Sequence, residues 1–480
     1  MAALTATTSL QHQSHVIELS KDKPYFGLLM EQGTGKTHVT LATMVHLWRE
    51  RKITAMIVLA PNGVHTNWAV NEIPLHVPED VKQVMNILTW ESGMGIKKRA
   101  VFDWTISNST DNLLVILANI EAVRTPAFAA AIRPMLSRKI LMVVDEATVI
   151  KNPKAMQSKK ALALAKYGAY SRILTGTPIT QGPLDLWSQC QFLSPQALPY
   201  PSFTSFKLEF AIEKEMILGN RHFRKTVGYR NLEKLAQLIA PFTYRVMKKD
   251  CLDLPEKIYQ RRYVELTEEQ LRIYKQLLKE CLAEINGQLV TTTTVLTAML
   301  RLHTVALGYV TTDDRVMQAI PSNRIKVLLE LYEEMQGKAI IFCRFKEDVR
   351  QVVEALTEVG RMPCQYHGDV PDWLRASNIK VFQEGDATDF VATSAAARGL
   401  TLHAAENVIY YSQGFSLETR LQSEDRAHRI GQKKNVLYTD LIAKGTIDER
   451  VIEALRNKQE LASMVLERKD VEQLQAMLDL

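Results

Sequence analysis

Two blocks of short Val-, Ile- and Leu-rich runs, each run ending in a polar cluster and followed by a longer helical pattern, limit what this chain can fold into. The first block holds Tyr25 to Met30, Thr54 to Ala60, Leu113 to Ala118, Ile140 to Val144 and Arg172 to Leu174. The second holds Ala339 to Cys343, Phe390 to Thr393 and Asn407 to Tyr411. Apolar runs of this size, without alternation, read as strands buried on both faces, as in parallel sheets covered by helices. With 480 residues the chain exceeds one compact core and fits two domains of about 200 residues each. Between the blocks, from about Pro201 to Ser322, the pattern shifts to charged amphipathic helices such as Thr267 to Gly287, and Asp253-Leu254-Pro255 is a plausible hinge. Thr446 and Glu449 read as a capping box opening a C-terminal helix, a brace or an oligomerisation helix.

The apolar runs are far shorter than the ~20 residues a membrane helix needs. The first residues carry no basic stretch ahead of an apolar one, and the five cysteines are scattered without a CxxC pair. A cytosolic protein with reduced thiols and no zinc site is therefore expected. The net charge of +6 suits a polyanionic partner but is too modest to decide anything.

The chemistry-bearing residues cluster where the strand runs stop. After Met30 comes Glu31-Gln32-Gly33-Thr34-Gly35-Lys36-Thr37 and then a helical pattern. This is a phosphate-binding loop: glycines turn backbone N–H groups inward, Lys36 reaches the β and γ phosphates, and the Thr37 hydroxyl can hold Mg²⁺. Val143-Val144-Asp145-Glu146 delivers two adjacent carboxylates at a strand end. Asp145 would hold Mg²⁺ through water and Glu146 would activate the attacking water, although paired acids also mark simple turns. Open α/β sheets place ligands at the carboxyl ends of their strands, which draws in Asn62, Thr177, Arg344 and Thr393 as candidates to meet nucleotide or a polymeric track. Arg426 and Arg429, three apart on an expected helix, would share a face and could stabilise charge on a γ-phosphate, or simply pair with Glu424 and Asp425. Trp68 could stack on a base but reads more readily as core.

With these residues assembled, the chain resembles the Swi/Snf-type DNA translocases of helicase superfamily two, in the compact form found in bacteriophages and related to annealing helicases. The resemblance runs along nearly the whole chain. It is carried by Gln13 ahead of EQGTGKT, by Val58-Leu59-Ala60-Pro61 with Asn67-Trp68, by Asp145 to Asn152, and by LTGTPITQGPLDLWSQCQFLSP with its Trp187 extension. Ile340 to Cys343, Tyr366-His367-Gly368-Asp369 and SEDRAHRIGQ from Ser423 complete it.

What the resemblance implies is an α/β fold of two RecA-like parallel-sheet lobes in tandem, with helical insertions and a C-terminal helical brace. The lobes are expected at 1–200 and 323–445, helical protrusions and the linker at 201–250 and 251–322, and the brace at 446–480. It implies ATP bound by Gln13, Gly33, Thr34, Gly35, Lys36, Thr37, Gly399 and Gln422, with Mg²⁺ on Thr37 and Asp145. Lys36, Asp145, Glu146, Arg426 and Arg429 would carry hydrolysis. Asn62, Trp68, Asn119, Thr177, Arg344, His367 and Thr393 would touch double-stranded DNA, forked or branched DNA included. A monomeric motor acting with replication or recombination proteins in the cytoplasm, the host's if phage-encoded, is the expected setting. Three positions depart from the family pattern: Thr148 for a histidine, Ala397 for a glycine and Thr401 for an asparagine. They put the coupling of DNA grip to hydrolysis in question. An RNA or single-strand-displacing helicase, or a DNA-binding scaffold using ATP as a switch, are the rival readings.

Overall fold

The computed structural model describes residues 3–466 apart from 63, 92, 110–111, 219–220, 288–291, 312–316, 398–399 and 430. The first sheet is built from β1 (Tyr25–Met30), β2 (Ala55–Ala60), β3 (Met85–Trp90), β4 (Leu113–Asn119), β5 (Ile140–Asp145) and β6 (Gly168–Leu174). A two-stranded hairpin, β7 (Ala211–Leu218) and β8 (Arg221–Tyr229), precedes the last strand, β9 (Thr243–Val246). The order is β3-β4-β2-β5-β6-β1-β9 with every pairing parallel.

Parallel pairing requires crossover helices, and these cover both faces of the sheet. Ala55, Ile57 and Leu59 enter one apolar core while Met56, Val58 and Ala60 enter the other. Ile140, Met142 and Val144 divide from Leu141 and Val143 in the same way. This is why these strands read as unbroken apolar runs.

The second sheet begins with β10 (Lys257–Val264); a small antiparallel pair, β11 (Tyr309–Thr311) and β12 (Met317–Ala319), stands apart from it. It continues with β13 (Lys338–Phe342), β14 (Pro363–Tyr366), β15 (Asp389–Ala392), β16 (Ala405–Tyr410) and β17 (Val436–Ala443). Its order is β10-β17-β16-β13-β15-β14, again wholly parallel. Ala339 and Ile341 face one core and Ile340 and Phe342 the other. The chain thus forms two compact units, the first mainly residues up to 212 with 226–252, the second mainly 253–459 with 213–225. Each is a helix-covered parallel sheet, so the α/β class with two parallel-sheet lobes expected from the sequence is what the chain adopts.

Residues 201–322 correct the expectation of charged helices throughout. Alongside the helices Phe203–Phe210, Leu232–Ile239 and Glu268–Gly287, the segment contributes the hairpin, β9 and the edge strand β10. Edge strands are only half buried, and KIYQRRYV in β10 mixes exposed and half-covered positions without an apolar run. The last helix, Ile447–Leu466, starts as expected, but its cap differs. The Thr446 hydroxyl accepts from the Asp448 amide at 3.2 Å rather than from Glu449. Among the described residues no helix is long and apolar enough to cross a membrane.

In the first unit, two histidines fasten the segment ahead of α1 (Gln11–Ser20) to α2 (Lys36–Arg49), the helix leaving the phosphate loop. His38 Nε2 lies 2.7 Å from Ser9 Oγ, His76 Nδ1 lies 2.7 Å from Thr7 Oγ1, and the two Nδ1 atoms are 3.3 Å apart. Burial pushes both imidazoles below their usual range, His38 to about 4, with His76 and His12 adding to the effect on His38 and Glu72 opposing it on His76. Both rings are neutral when folded and would be protonated in the unfolded chain below about pH 6.5. The unfolded chain then binds more protons, so the stability these rings contribute is present above that pH and lost as pH falls toward the folded value. Urea unfolding of the native chain and of His38→Gln at about pH 7.5 and about pH 5 should show a smaller acid loss in the variant; equal losses would refute the assignment.

Candidate functional site

The phosphate loop joins β1 to α2, and its glycines take backbone angles that side chains resist. Gly33 and Gly35 have φ of +80° and +93°. A Cβ on Gly35 would stand 2.3 Å from the Gln13 amide nitrogen, so the left-handed turn and the close approach of Gln13 both need glycine there. Gln13 Nε2 donates to the Thr34 carbonyl at 3.2 Å, and His12 Nε2 lies 2.8 Å from the same oxygen. Gln13 Oε1 accepts from the Leu10 amide, fixing the side chain's orientation. Lys36 is buried with its ammonium on the Met30 and Glu31 carbonyls at 3.1 and 3.3 Å, inside the loop where phosphate oxygens would compete for it. Thr34 Oγ1 donates to Glu31 at 2.7 Å, and the half-buried Thr37 opens α2.

Asp145 ends β5, buried on all sides. Its Oδ1 accepts the Glu146 amide at 2.9 Å, and its Oδ2 accepts the indole N–H of Trp68, also at 2.9 Å. Burial raises the Asp145 pKa; the Trp68 bond, the Lys36 charge and the Glu146 amide pull it back down. Trp68 is 1% exposed, which corrects its expected place on DNA: a ring held against Asp145 cannot stack on a base. It opens a π-helical turn, Trp68–Glu72, a wide turn often found at functional positions. Glu146 adopts φ +50°, and its Oε1 accepts from Gln32 of the phosphate loop at 3.3 Å.

The loop after β6 closes on the same place. A Cβ on Gly176 would meet Met30, Glu31 and Gln32 backbone atoms at 3.3 Å, so Thr175-Gly176-Thr177-Pro178 packs backbone to backbone on the phosphate loop. Arg245 of β9 spans both, donating to the Gly176 carbonyl at 2.8 Å and the Leu29 carbonyl at 3.4 Å. Sequence reading missed Arg245 because it stands on an edge strand with no apolar run. Lys151 donates to Thr180 Oγ1 at 2.7 Å, and Asp185 gathers Thr180 and the Gln181 amide, tying the acid-pair segment to this loop. Among the described residues Asn119 Oδ1 and Thr177 Oγ1 are buried without hydrogen-bond partners, and Asn62 is exposed in the turn after β2. Thr148 is buried, its hydroxyl 3.5 Å from the Glu146 carbonyl.

In the second unit the candidates lie at the carboxyl ends of β13 to β16. Arg344, Ser394, Ser412, Ser416 and Thr419 are among the residues lining a cleft of about 320 Å³. Thr393 is half buried, its amide on the Tyr366 carbonyl, and His367 follows β14 with burial holding its imidazole below the usual range. Gln422 is buried in the helix Leu417–Ala427, where its carbonyl accepts from Arg426 Nε at 2.9 Å.

Arg426 and Arg429 do not share a helical face. The helix ends at Ala427, His428 turns out of it, and Gly431 adopts φ +103°. Both arginines instead reach the segment before β16, Arg426 to the Leu400 carbonyl at 2.6 Å and Arg429 to Thr401 Oγ1 at 3.0 Å. Gly399 lies outside the described residues.

Two parallel α/β units, the first carrying a phosphate loop beside a strand-end acid pair, define a nucleotide-binding protein of the helicase type. The chain matches the SNF2-related domain over residues 15–307 and the helicase conserved C-terminal domain over residues 323–431. It belongs to the SNF2-related family. An uncharacterized ATP-dependent helicase of Mycoplasma pneumoniae is 28% identical over 458 residues, 93% of this chain and 41% of that protein. The ISWI chromatin-remodeling complex ATPase CHR11 of Arabidopsis thaliana is 26% identical over 455 residues, 91% and 40% of the two chains. The DNA annealing helicase and endonuclease ZRANB3 of Mus musculus is 26% identical over 460 residues, 94% and 40%. The chain thus spans about two fifths of the length of these curated relatives. A solved Sulfolobus solfataricus SWI2/SNF2 ATPase core in complex with dsDNA is 24% identical with a TM-score of 0.44, over 98% of this chain and 95% of that one.

A neutral donor aimed at a buried carboxylate is a strong hydrogen bond, and losing it leaves the charge less supported. Trp68→Phe should destabilise the first unit by about 1.5–3 kcal/mol, read as an earlier urea transition. A transition at the native position would show that the indole N–H does not support Asp145.

Proposed function

We propose that this chain is an ATP-driven motor that moves along double-stranded DNA. The observation that carries this reading is the convergence, at the strand ends of one sheet, of the Gly33–Lys36 loop, the Asp145–Glu146 pair and the Gly176 loop in direct backbone contact. Gln13 would read the adenine and fix the loop, Lys36 would leave the Met30 and Glu31 carbonyls for the β and γ phosphates, and Glu146 would orient the attacking water. The Thr37 hydroxyl and the Asp145 carboxylate are oxygen donors of the kind Mg²⁺ takes. Bound there, the ion would neutralise phosphate charge as the γ-phosphoryl transfers.

Of the two arginines, Arg429 is the better candidate for the γ-phosphate, because it is half exposed and held by a neutral hydroxyl. Arg426 is buried on two carbonyls of its own unit, a role suited to holding residues 400–402 in shape. Asn62, Asn119, Thr177, Arg344, His367 and Thr393 are proposed to meet the DNA backbone. Contacts to phosphates give sequence-tolerant, salt-sensitive binding. Relatives named as a chromatin-remodeling ATPase and a DNA annealing helicase support duplex or branched DNA as the track.

ATP hydrolysis measured without nucleic acid and with single-stranded DNA, duplex DNA or RNA tests this reading. Duplex DNA should stimulate most, and Glu146→Gln should lower turnover by about 10²- to 10⁴-fold. Stimulation by RNA or single strands alone would make the chain a strand-displacing helicase. Hydrolysis no faster than in Glu146→Gln would leave a DNA-binding scaffold.

A further inference from the structure

Arg344, which lines the second unit's cleft, is held by a buried polar chain that no sequence motif announced. Its Nη1 donates to His303 Nδ1 at 2.8 Å and lies 3.5 Å from the Gln413 carbonyl, and its backbone amide donates to Ser412 Oγ at 2.7 Å. His303 is 2% exposed in the helix Thr292–Leu307, edge-on to Phe345 with ring centroids 5.7 Å apart. Its Nε2 faces Asp448 Oδ1 at 3.3 Å, in the first turn of the last helix. Asp448 in turn takes the Ala443 amide at 3.0 Å and the guanidinium of the fully buried Arg324, which also donates to the Tyr411 carbonyl.

The chemistry of each group fixes the order of the chain. Arginine has only donors, so His303 Nδ1 must accept, and the ring proton must sit on Nε2, toward the Asp448 carboxylate. Burial above all, opposed by the Asp448 charge and aided by those of Arg344 and Arg324, brings His303 down to about 4, so the ring is neutral at physiological pH. A protonated ring would turn an N–H against Arg344 and break the bond.

We propose that His303 is a positioning residue for DNA binding: through the chain Arg324–Asp448–His303 it fixes the Arg344 guanidinium at the cleft, ready for one backbone phosphate. Long arginine side chains lose rotamer freedom when they bind, and a guanidinium already anchored on one side gives up less on engaging its anion. The same chain connects the proposed DNA contact to the base of the last helix through Asp448. The inference rests on the reading that Arg344 meets DNA, and the experiment separates the two.

Duplex DNA affinity is measured by fluorescence anisotropy over a series of salt concentrations, for the whole chain and for Arg344→Gln, His303→Leu, His303→Asn and the Arg344→Gln/His303→Leu double variant. Arg344→Gln should weaken binding about tenfold and reduce the steepness of the salt dependence by about 0.9, the share of one phosphate. His303→Leu should produce the same two changes, and the double variant should bind no more weakly than either single one. His303→Asn, whose amide oxygen can replace Nδ1 as acceptor, should restore most of both, and it decides the matter if the leucine variant does not fold. An unaltered salt dependence in Arg344→Gln would remove Arg344 from the DNA and the inference with it. A weakened Arg344→Gln beside histidine variants of native affinity, or additive losses in the double variant, would overturn the positioning role alone.

Discussion

The Asp145 carboxylate ends a strand in which every residue is buried, and that burial is the constraint the first unit is organised around. An ionised carboxylate taken out of water demands donors, and the fold meets the demand with the Glu146 amide, the Trp68 indole and the charge of Lys36. Each donor comes from a different connection: the turn after β5, the π-helical turn that follows β2, and the start of α2. The carboxylate proposed to hold Mg²⁺ is thereby tied to the segment proposed to meet the track and to the loop proposed to meet the phosphates. The tie does not depend on side chains at the surface, where screening would weaken it.

Close backbone packing supplies the second connection. Gly176 lets one loop lie on another with no side chain between them, and Arg245 donates to carbonyls on both sides of that contact. A loop seated in this way has few ways to shift without moving its neighbour, which is the mechanical property the proposed motor would need between its nucleotide site and its grip on a track. Thr148, where the family pattern has histidine, leaves these contacts intact and places only a hydroxyl 3.5 Å from the Glu146 carbonyl. What the substitution removes is a longer side chain, not the seating of the loops.

What could be read from the sequence follows from burial. Strands β2, β4 and β5 are covered on both faces and announce themselves as apolar runs, whereas β3, β9, β10 and β14 lie at sheet edges and present half-exposed, mixed residues that look like loop or helix. The phosphate loop was legible because glycine, lysine and threonine at that spacing have few other uses. Trp68 was not, because a tryptophan after a strand fits a core, a base or a hydrogen bond equally well, and only the fold brings Asp145 within 2.9 Å of it. Arg429 misled for a different reason. Spacing of three implies a shared face only while the helix lasts, and the turn at His428 ends it.

SEDRAHRIGQ is a strong family marker, yet most of its side chains serve the architecture of their own unit. Glu424, fully buried, takes Lys257, Tyr259 and Arg420, which draws the edge strand β10 against the helix Leu417–Ala427. His428 Nε2 lies 2.7 Å from the Pro255 carbonyl, and Gln432 donates to the carbonyls of His403 and Ala405. With Arg426 and Arg429 on residues 400 and 401, this one segment holds both the chain's entry into the second unit and the stretch before β16. Thr401 stands where the family pattern has asparagine, and its hydroxyl accepts from Arg429 as an amide oxygen could. A hydroxyl offers a single oxygen on a short, branched side chain, so it can hold Arg429 but cannot also present the amide N–H₂ of asparagine. The departure therefore preserves the architecture of the segment and alters only the donors available beside it.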